Sequence, residues 1–279
     1  MSIAIAKNES IAADHPVVVE DRWLSARKSL LQHEKELTRL RDQIARERRA
    51  LPWIQIKKNY VFDTPEGKRS LADLFDGRHQ LLVQHFMLGP DWEQGCPSCS
   101  FMADHVSEGM QLHLAHRDTT LVAVSRAPLE QIERFRRRMG WRFKWVSAFD
   151  TDFNQDFGVS FTPEQVEQGE VPYNYTVQAF PSEEAPGISA FYKDDVGTVY
   201  HTYSTYGRGV EAMMGTYVLL DLTPKGRDER NPNWPMDWVR HHDRYEQAPA
   251  AASQPKAASA SAAAKGAAAG AGGCCHAQD

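Results

Sequence analysis

The sequence predicts an α/β protein whose parallel or mixed sheet carries helices on both faces. Between residues 80 and 157, apolar runs of strand character alternate with helical patterns in the order βαβαβ, which is typical of sheets built from parallel strands. A long amphipathic helix without Gly or Pro is predicted over residues 19–51. Residues 248–273 consist almost entirely of small side chains and predict a disordered tail over 248–279.

The composition excludes several protein classes. With 279 residues, 42% apolar and 25% charged, the chain has the composition of a globular protein with a core. Its apolar runs are much shorter than the roughly 20 residues that cross a bilayer, and its N-terminus lacks a secretory pattern, so we expect a cytoplasmic protein without a membrane partner. The net charge of −5 argues against a nucleic-acid partner.

The first 51 residues divide into two segments. Residues 1–18 have little periodicity and are predicted to be flexible. Over 19–51, apolar residues recur every seven positions from Trp23 to Leu51 and define one helix face. Ala26, His33 and Glu47 stand at the second seam position of a coiled coil. This favours docking of the helix onto the chain's own body, with a homodimer through residues 20–50 as the alternative.

The body is predicted over residues 52–222. The patterns indicate, in order, strands at 54–56 and 60–62, a turn at 64–67, a short helix at 71–75 capped by Ser70, a buried strand at 80–87, a helix at 97–116, a strand at 120–124, a helix at 128–139, a strand at 145–146 and a short helix at 152–157.

The second half of the body begins with residues 162–186, which hold too few apolar residues to predict an element. Strands at 188–192 and 198–203, joined by a turn, and a helix at 210–220 complete the body. An arm over 223–247 is expected to pack on the body through Trp234 and Trp238.

Four cysteines occur as two close pairs, Cys96/Cys99 and Cys274/Cys275. Cys96 stands where a buried strand gives way to a helix, with Pro97 at the first helical position. There, unpaired backbone N–H groups and the helix dipole favour the thiolate, and Cys99 lies one turn further on the same side. This arrangement favours a redox pair over a zinc half-site or inert thiols, because the body holds no second half of a zinc site.

Several stretches of the sequence resemble a known fold and a known family. The order from Phe62-Asp63 through Ser70-Leu71 to the Cys-Pro-Ser-Cys helix resembles the thioredoxin fold in its peroxiredoxin-like variety. More narrowly, the chain is identified as a member of the bacterial family called domain of unknown function 899. The matching stretches are 85–87, 95–99, 203–209, 221–229 and 238–243. The resemblance implies a three-layer thioredoxin-like sandwich.

Several residues beside the pair are candidates for shaping the site: Trp92, Glu93, Pro97, Arg126 and Pro186. Glu93 stands where peroxiredoxins carry a Thr or Ser, and a carboxylate beside a thiolate raises its pKa, so a dedicated peroxidase is not expected. Arg126 is a candidate for lowering the pKa of a thiolate, although a surface role is favoured. Pro186 stands near the place of the thioredoxin cis-proline, and its isomer stays open.

Three functions remain. The leading hypothesis is a thiol–disulfide oxidoreductase without a cofactor, in which Cys96 attacks a protein or small-molecule disulfide and Cys99 resolves it. The alternatives are a sensor or binding protein for a soft metal, and a redox-inactive interaction protein. The tail dithiol Cys274/Cys275 is either incidental or a mobile relay, with His276 as an optional third metal ligand.

Overall fold

The structure is a computed structural model that describes residues 15–229 and 235–245. Residues 1–14 of the predicted flexible N-terminus lie outside this range, as does the predicted anchor Trp234. The tail dithiol Cys274/Cys275 and His276 also lie outside the described residues.

The described residues form an eight-stranded mixed sheet and a separate two-stranded hairpin. The strands are β1 (Ile54–Gln55), β2 (Val61–Thr64), β3 (Gly67–Ser70), β4 (Gln80–His85), β5 (Thr119–Ser125), β6 (Lys144–Ser147), β7 (Val171–Tyr173), β8 (Thr176–Gln178), β9 (Gly187–Lys193) and β10 (Val199–Tyr206). The large sheet has the order β1-β10-β9-β4-β5-β6-β2-β3. Strands β4, β5 and β6 are parallel, and β9 runs antiparallel to β4. The predicted mixed sheet is confirmed.

The helices lie before the sheet and on its two faces. They are α1 (Glu20–Arg49), α2 (Pro97–Ala103), α3 (Glu108–Ala115), α4 (Leu129–Arg138), α5 (Phe153–Asp156), α6 (Pro163–Gln168) and α7 (Gly215–Leu220). Short 3₁₀ turns cover Asp73–Phe75, Gly207–Met213, Pro235–Trp238 and His242–Arg244. Across the two described ranges, no helix combines the length and apolar character needed to span a membrane.

Two buried clusters cover the two faces of the sheet. On one face, Phe86 and Trp145 pack with Met102 of α2 and Ile132 of α4. On the other face, buried side chains from the sheet, the 3₁₀ turn at 73–75 and α5 pack together; they are Phe62, Leu74, Phe75, Val83, Val122 and Phe153. Residues on both sides of each central strand are therefore buried, as in a three-layer sandwich. The predicted thioredoxin-like fold class is confirmed.

The predicted helix over 97–116 is wrong in one respect, because it is two helices. The ring of His105 lies 2.8 Å from the carbonyl oxygen of Phe101, and the Ser107 hydroxyl accepts a hydrogen bond from the N–H of Met110. The first contact satisfies a carbonyl at the end of α2, and the second caps the start of α3. Local side-chain hydrogen bonds thus separate the two helices.

Three other segments differ from the predictions. The stretch 162–186 forms α6, with a Thr162–Gln165 capping box, and the β7–β8 hairpin. The predicted helix at 210–220 is a 3₁₀ segment over Gly207–Met213 followed by α7. Residues 67–70, which have no apolar side chain, form the edge strand β3.

Helix α1 departs most from expectation. No residue of α1 is buried, so its predicted docking onto the body is wrong. The Arg48 guanidinium lies 4.7 Å from the Tyr203 ring centroid, at the end of the helix that leads into the sheet. The apolar face predicted from the sequence is present but uncovered.

Candidate functional site

The Cys96 turn lies just beyond the carboxyl end of β4. The N–H of Cys96 donates to the carbonyl oxygen of Met87 at 3.0 Å, which anchors the turn to the chain leaving the strand. Cys96 is the N-cap of α2, and Pro97 occupies the first turn. The sequence predicted both positions. The Cys96 sulfur therefore lies beside backbone N–H groups that have no partner within the helix.

The two thiols have opposite environments. Cys96 is half-buried, Cys99 is buried, and both are free thiols. The Cys99 S–H donates to the Cys96 sulfur, as do the backbone N–H groups of Cys99 and Ser98 and the Ser98 hydroxyl. These hydrogen bonds lower the pKa of Cys96 to about 7, against the opposing effect of burial.

Cys99 titrates in the other direction. Its hydrogen bond to Cys96 and its burial both raise its pKa well above the ordinary thiol value. Near pH 7 the more exposed sulfur, on Cys96, therefore ionises, while the buried Cys99 stays a thiol. This is the division of roles expected of an attacking and a resolving cysteine.

Gly95 fits where no side chain would. A Cβ atom at this position would lie 2.5 Å from Cε1 of Phe86 and 2.8 Å from Cε1 of Phe135. Both rings belong to the core cluster beneath the turn. Because Gly95 has no side chain, the backbone before Cys96 packs directly against these rings. Gly95 therefore lets the Cys96 turn pack closely on the core.

The C-terminal arm reaches the same turn through His241, which is 2% exposed. Its Nε2 lies 2.8 Å from the carbonyl oxygen of Gly95, and its Nδ1 lies 3.3 Å from a guanidinium nitrogen of Arg138. The ring packs against Phe135. The sequence predicted that the arm packs on the body, but not that His241 supports the residue before Cys96.

Trp92, Glu93 and Pro97 have different surroundings. Trp92 packs against the core cluster that contains Cys99, and Gln131 donates to its carbonyl oxygen. Glu93 and Pro97 are exposed. Of the three, Trp92 shares the apolar surroundings of the thiol pair, whereas the carboxylate of Glu93 faces solvent.

Arg126 binds carboxylates. Its Nε donates to Oε1 of Glu184 at 2.6 Å, and the Ser160 hydroxyl donates to the other oxygen of Glu184 at 2.7 Å. Glu184 is buried, and burial raises its pKa despite the neighbouring guanidinium. The structure gives Arg126 the role of compensating a buried charge, and it shows no hydrogen bond from Arg126 to Cys96.

Pro186 precedes β9, whose first residue, Gly187, pairs with His85 at the end of β4. The proline therefore flanks the sheet edge from which the cysteine turn departs. The backbone of residues 15–229 and 235–245 has no cis peptide bond, so the bond before Pro186 is trans.

Tyr173 of the β7–β8 hairpin contacts this edge of the sheet. Its hydroxyl donates to the carbonyl oxygen of Pro186 at 2.8 Å and accepts from the N–H of Gly207 at 2.9 Å. Burial raises the pKa of Tyr173, and negative charge on Cys99 raises it further. The phenol thus lies within electrostatic range of the buried thiol. No sequence pattern indicated this residue, because its hairpin was not predicted.

In the part of the chain that the structure describes, no group of three or more His, Cys, Asp or Glu side chains has the arrangement of a metal site. The donors that converge on Cys96 are N–H, O–H and S–H groups of the same turn. These donors stabilise a thiolate on Cys96.

Comparison with known protein families identifies the chain. The model of a family described as "Bacterial protein of unknown function (DUF899)" matches residues 12–245. The chain belongs to this family. The matched range of the DUF899 model includes α1, the Cys-Pro-Ser-Cys turn and the arm that carries His241. No curated protein matches the sequence.

Solved structures similar to this DUF899 chain include peroxiredoxin-like and thiol-exchange proteins. Peroxidoxin BcpB from Mycobacterium tuberculosis is 12% identical, with a TM-score of 0.40 over 59% of this chain and 96% of its own. PrxQ from Xylella fastidiosa is 11% identical, with a TM-score of 0.38 over 60% and 94%. A putative thiol:disulfide interchange protein DsbE from Chlorobium tepidum is 13% identical, with a TM-score of 0.35 over 61% and 97%. At these distances the activities of those proteins do not transfer to this chain.

Proposed function

We propose that this protein is a thiol–disulfide oxidoreductase in which Cys96 is the attacking cysteine and Cys99 the resolving one. The observation that carries the proposal is the hydrogen-bonded pair itself, in which the half-buried sulfur is stabilised as a thiolate by the thiol it later pairs with. The substrate class is a protein or small-molecule disulfide. The thiol pool of a reducing cytoplasm is the proposed reductant.

The first step is attack on a disulfide R–S–S–R′. The Cys96 thiolate forms a new bond to one sulfur, the R–S–S–R′ bond breaks, and R′S⁻ leaves and takes a proton from solvent. Four donors hold the attacking sulfur: the Cys99 thiol, the Ser98 hydroxyl and the backbone N–H groups of Ser98 and Cys99. Because these donors lie on one turn of α2, they fix the direction in which the sulfur approaches its substrate.

The second step closes the pair. Once Cys96 is part of a mixed disulfide, its sulfur carries no negative charge. The hydrogen bond from the Cys99 thiol to the Cys96 thiolate, which had raised the pKa of Cys99, is then lost. Cys99 releases its proton to solvent and attacks the Cys96 sulfur, which forms the Cys96–Cys99 bond and expels RS⁻. Two thiols are oxidised and one substrate disulfide is reduced to two thiols, so the electrons balance.

The test is to trap the mixed disulfide. In full-length protein carrying Cys274→Ser and Cys275→Ser, the additional change Cys99→Ser should stop the reaction after the first step. Incubation with oxidised glutathione should then leave one glutathione attached to Cys96, detected by intact mass and peptide mapping.

The matched control is Cys96→Ser in the same background. Because Cys99 is buried and its pKa is raised, this variant should take up no glutathione under the same conditions. Modification of Cys99 in the control, or a failure of Cys96 to react in the Cys99→Ser variant, would refute the assignment of the two cysteines.

A further inference from the structure

One face of α4 lies along the loop that leads into the cysteine turn. Gln131, Phe135 and Arg138 stand at positions i, i+4 and i+7 of this helix, so their side chains lie on the same side of it. Gln131 donates to the carbonyl oxygen of Trp92. The Phe135 ring packs against the backbone of Gly95, where a Cβ atom would lie 2.8 Å from it. The third residue of this face, Arg138, binds both the loop and the C-terminal arm.

The guanidinium of Arg138 directs four N–H groups at three side chains. Nε and Nη2 donate to the two carboxylate oxygens of Asp243, both at 2.9 Å. Nη1 donates to Oε1 of Gln94 at 3.2 Å, and Nη2 lies 3.3 Å from Nδ1 of His241. The paired contacts with Asp243 fix the plane of the guanidinium, because two parallel N–H groups match two carboxylate oxygens. This plane directs the other N–H groups at Gln94 and His241.

The contact with His241 decides which ring nitrogen of that histidine carries the proton. A guanidinium only donates, so Nδ1 accepts from Arg138 and the ring proton lies on Nε2. Nε2 lies 2.8 Å from the carbonyl oxygen of Gly95 and donates to it. The opposite tautomer would place two donors face to face at Nδ1 and leave the carbonyl oxygen without a donor. The contact with Arg138 thus selects the form of His241 that holds the residue before Cys96.

The surroundings of His241 keep its ring neutral. Burial lowers the pKa of His241, and the positive charges of Arg138 and Arg244 lower it further, against the opposing effects of the Gly95 contact and of Asp243. A neutral imidazole has a single ring proton, so at neutral pH only one of its nitrogens can donate.

We propose that Arg138 is a positioning residue for the reaction of Cys96 and acts on that thiol through His241. This inference rests on the proposed function, in which Cys96 reacts as a thiolate. The hydrogen bonds that lower the pKa of Cys96 come from Ser98 and Cys99, which lie on the same turn. These donors face the sulfur only while the chain entering the turn is held in place, and Arg138 holds it.

The arm has other attachments, so a change at Arg138 leaves it docked. The His242 ring lies 2.6 Å from a carboxylate oxygen of Asp104, at the end of α2. Val239 is buried in the core cluster that contains Cys99. Because these contacts do not involve Arg138, its substitution should displace the turn in a protein that still folds.

The test follows the pH dependence of Cys96 alkylation in full-length protein that carries Cys274→Ser and Cys275→Ser. Arg138→Met should raise the midpoint by about 0.5–1 pH unit, as expected when hydrogen bonding to the thiolate is weakened. Arg138→Lys should raise it by a similar amount, because an ammonium group keeps the charge but not the planar fork. Rescue of the wild-type midpoint by lysine would show that charge alone matters and would overturn the proposal.

The matched control is Arg137→Met, which removes the neighbouring arginine of the same helix. The Arg137 side chain is 69% exposed and lies 3.9 Å from Glu133, so its loss should leave the midpoint unchanged. The combination of Arg138→Met with His241→Ala tests the order of action. Because Arg138 acts through His241, the double variant should shift the midpoint by less than the sum of the two single shifts.

An unchanged midpoint in folded Arg138→Met protein, or shifts that add in the double variant, would also overturn the proposal. Circular dichroism establishes that each variant is folded at the pH values used. If Arg138→Met does not fold, Asp243→Asn decides, because it weakens the fork without changing its shape and should also raise the midpoint. Glutathione trapping on Cys96 together with an unchanged midpoint in these variants refutes the positioning role alone, whereas a failure of trapping refutes the proposed function.

Discussion

The Nε2 atom of His241 lies 2.8 Å from the carbonyl oxygen of Gly95, although 146 positions separate the two residues in the sequence. A carbonyl oxygen only accepts, so Nε2 carries the ring proton, and Nδ1 is left to accept from Arg138. Burial and the nearby guanidinium lower the pKa of His241 and keep this neutral form. The arm thereby holds the carbonyl that immediately precedes the attacking cysteine.

The change His241→Ala should loosen the Cys96 turn. It leaves the Gly95 carbonyl without a partner and opens space beside Phe135, so we expect a loss of about 1–3 kcal/mol in the free energy of unfolding. The pKa of Cys96 should rise, because the donors on α2 are no longer held in place. Denaturant unfolding and the pH profile of alkylation measure the two effects.

The neighbouring His242 is the control for this prediction. It is exposed and binds Asp104 at 2.6 Å on the surface, so His242→Ala should leave the Cys96 profile unchanged. If both alanine variants behave alike, His241 does not position the turn.

Arg126 should affect stability and not thiol reactivity. Removing its charge by Arg126→Met leaves the buried Glu184 uncompensated, which costs about 3–5 kcal/mol. The double variant Arg126→Met with Glu184→Gln should recover most of that loss, and both variants should keep the wild-type pH profile of Cys96 alkylation. A higher pKa of Cys96 in the double variant would show that Arg126 acts on the thiolate.

Hydrogen peroxide should be a poor oxidant of this protein. Glu93 supplies no hydroxyl to orient the peroxide, so we expect a second-order rate constant well below about 10⁵ M⁻¹s⁻¹ in stopped-flow measurements. Glu93→Gln tests the charge and Glu93→Thr the hydroxyl. A wild-type rate at or above that value would mean that this site activates peroxide by other groups.

A line of hydrogen bonds crosses the core from His85 to His201 through two serines. The contacts are His85 Nε2 to Ser189 Oγ at 2.8 Å, Ser189 Oγ to Ser204 Oγ at 2.7 Å, and Ser204 Oγ to His201 Nε2 at 2.7 Å. Two hydroxyl protons cannot fill three links, so one histidine must donate. The Nδ1 of His85 is buried without a hydrogen-bond partner. A buried acceptor without a partner costs less free energy than a buried donor without one, so the ring proton of His85 lies on Nε2 and this histidine is the one that donates.

This arrangement makes the fold sensitive to acid. Burial lowers the pKa of His85 from 6.5 to about 3, so the unfolded chain takes up a proton below pH 6.5 that the folded chain does not. Stability contributed by His85 is therefore complete above pH 6.5 and falls as the pH drops towards 3. Between pH 7 and pH 5 its share of the loss is about 2 kcal/mol.

Chemical denaturation at pH 7 and pH 5 measures this loss. The variant His85→Gln should lose about 2 kcal/mol less than the wild type between the two pH values, whatever its stability at pH 7. The exposed His113, changed to Gln, should reproduce the wild-type dependence. An unchanged pH dependence in the His85 variant would show that this ring accepts a proton in the folded protein.

The sequence predicted the elements that are marked by apolar runs or by short local motifs. The continuous run over 80–87 corresponds to β4, and Cys96 stands at the start of α2 as its flanking residues indicated. Strand β3 was missed because an exposed edge strand needs no apolar residues. The β7–β8 hairpin was missed because its strands have only three residues each and β7 contains Pro172, although Asn174 and Tyr175 make a tight turn with positive φ.

The surroundings of the thiols were less predictable than the thiols themselves. Contacts such as His241 with Gly95 and Tyr173 with Pro186 join residues far apart in sequence or on elements without a pattern. Docking of α1 was predicted wrongly, because an apolar helix face indicates that a partner exists but not which one. Such relationships follow from tertiary packing and have no local signature.

The measurement that tests the central claim most directly is competitive alkylation of the two cysteines across pH. The protein, with Cys274 and Cys275 changed to Ser, is treated with limiting iodoacetamide, and labelling at each site is quantified by peptide mass spectrometry. Cys96 should be labelled first, with a rate that reaches half its maximum near pH 7, since its pKa is lowered to about 7. Preferential labelling of Cys99, or a Cys96 midpoint at or above the ordinary thiol value, would contradict the account.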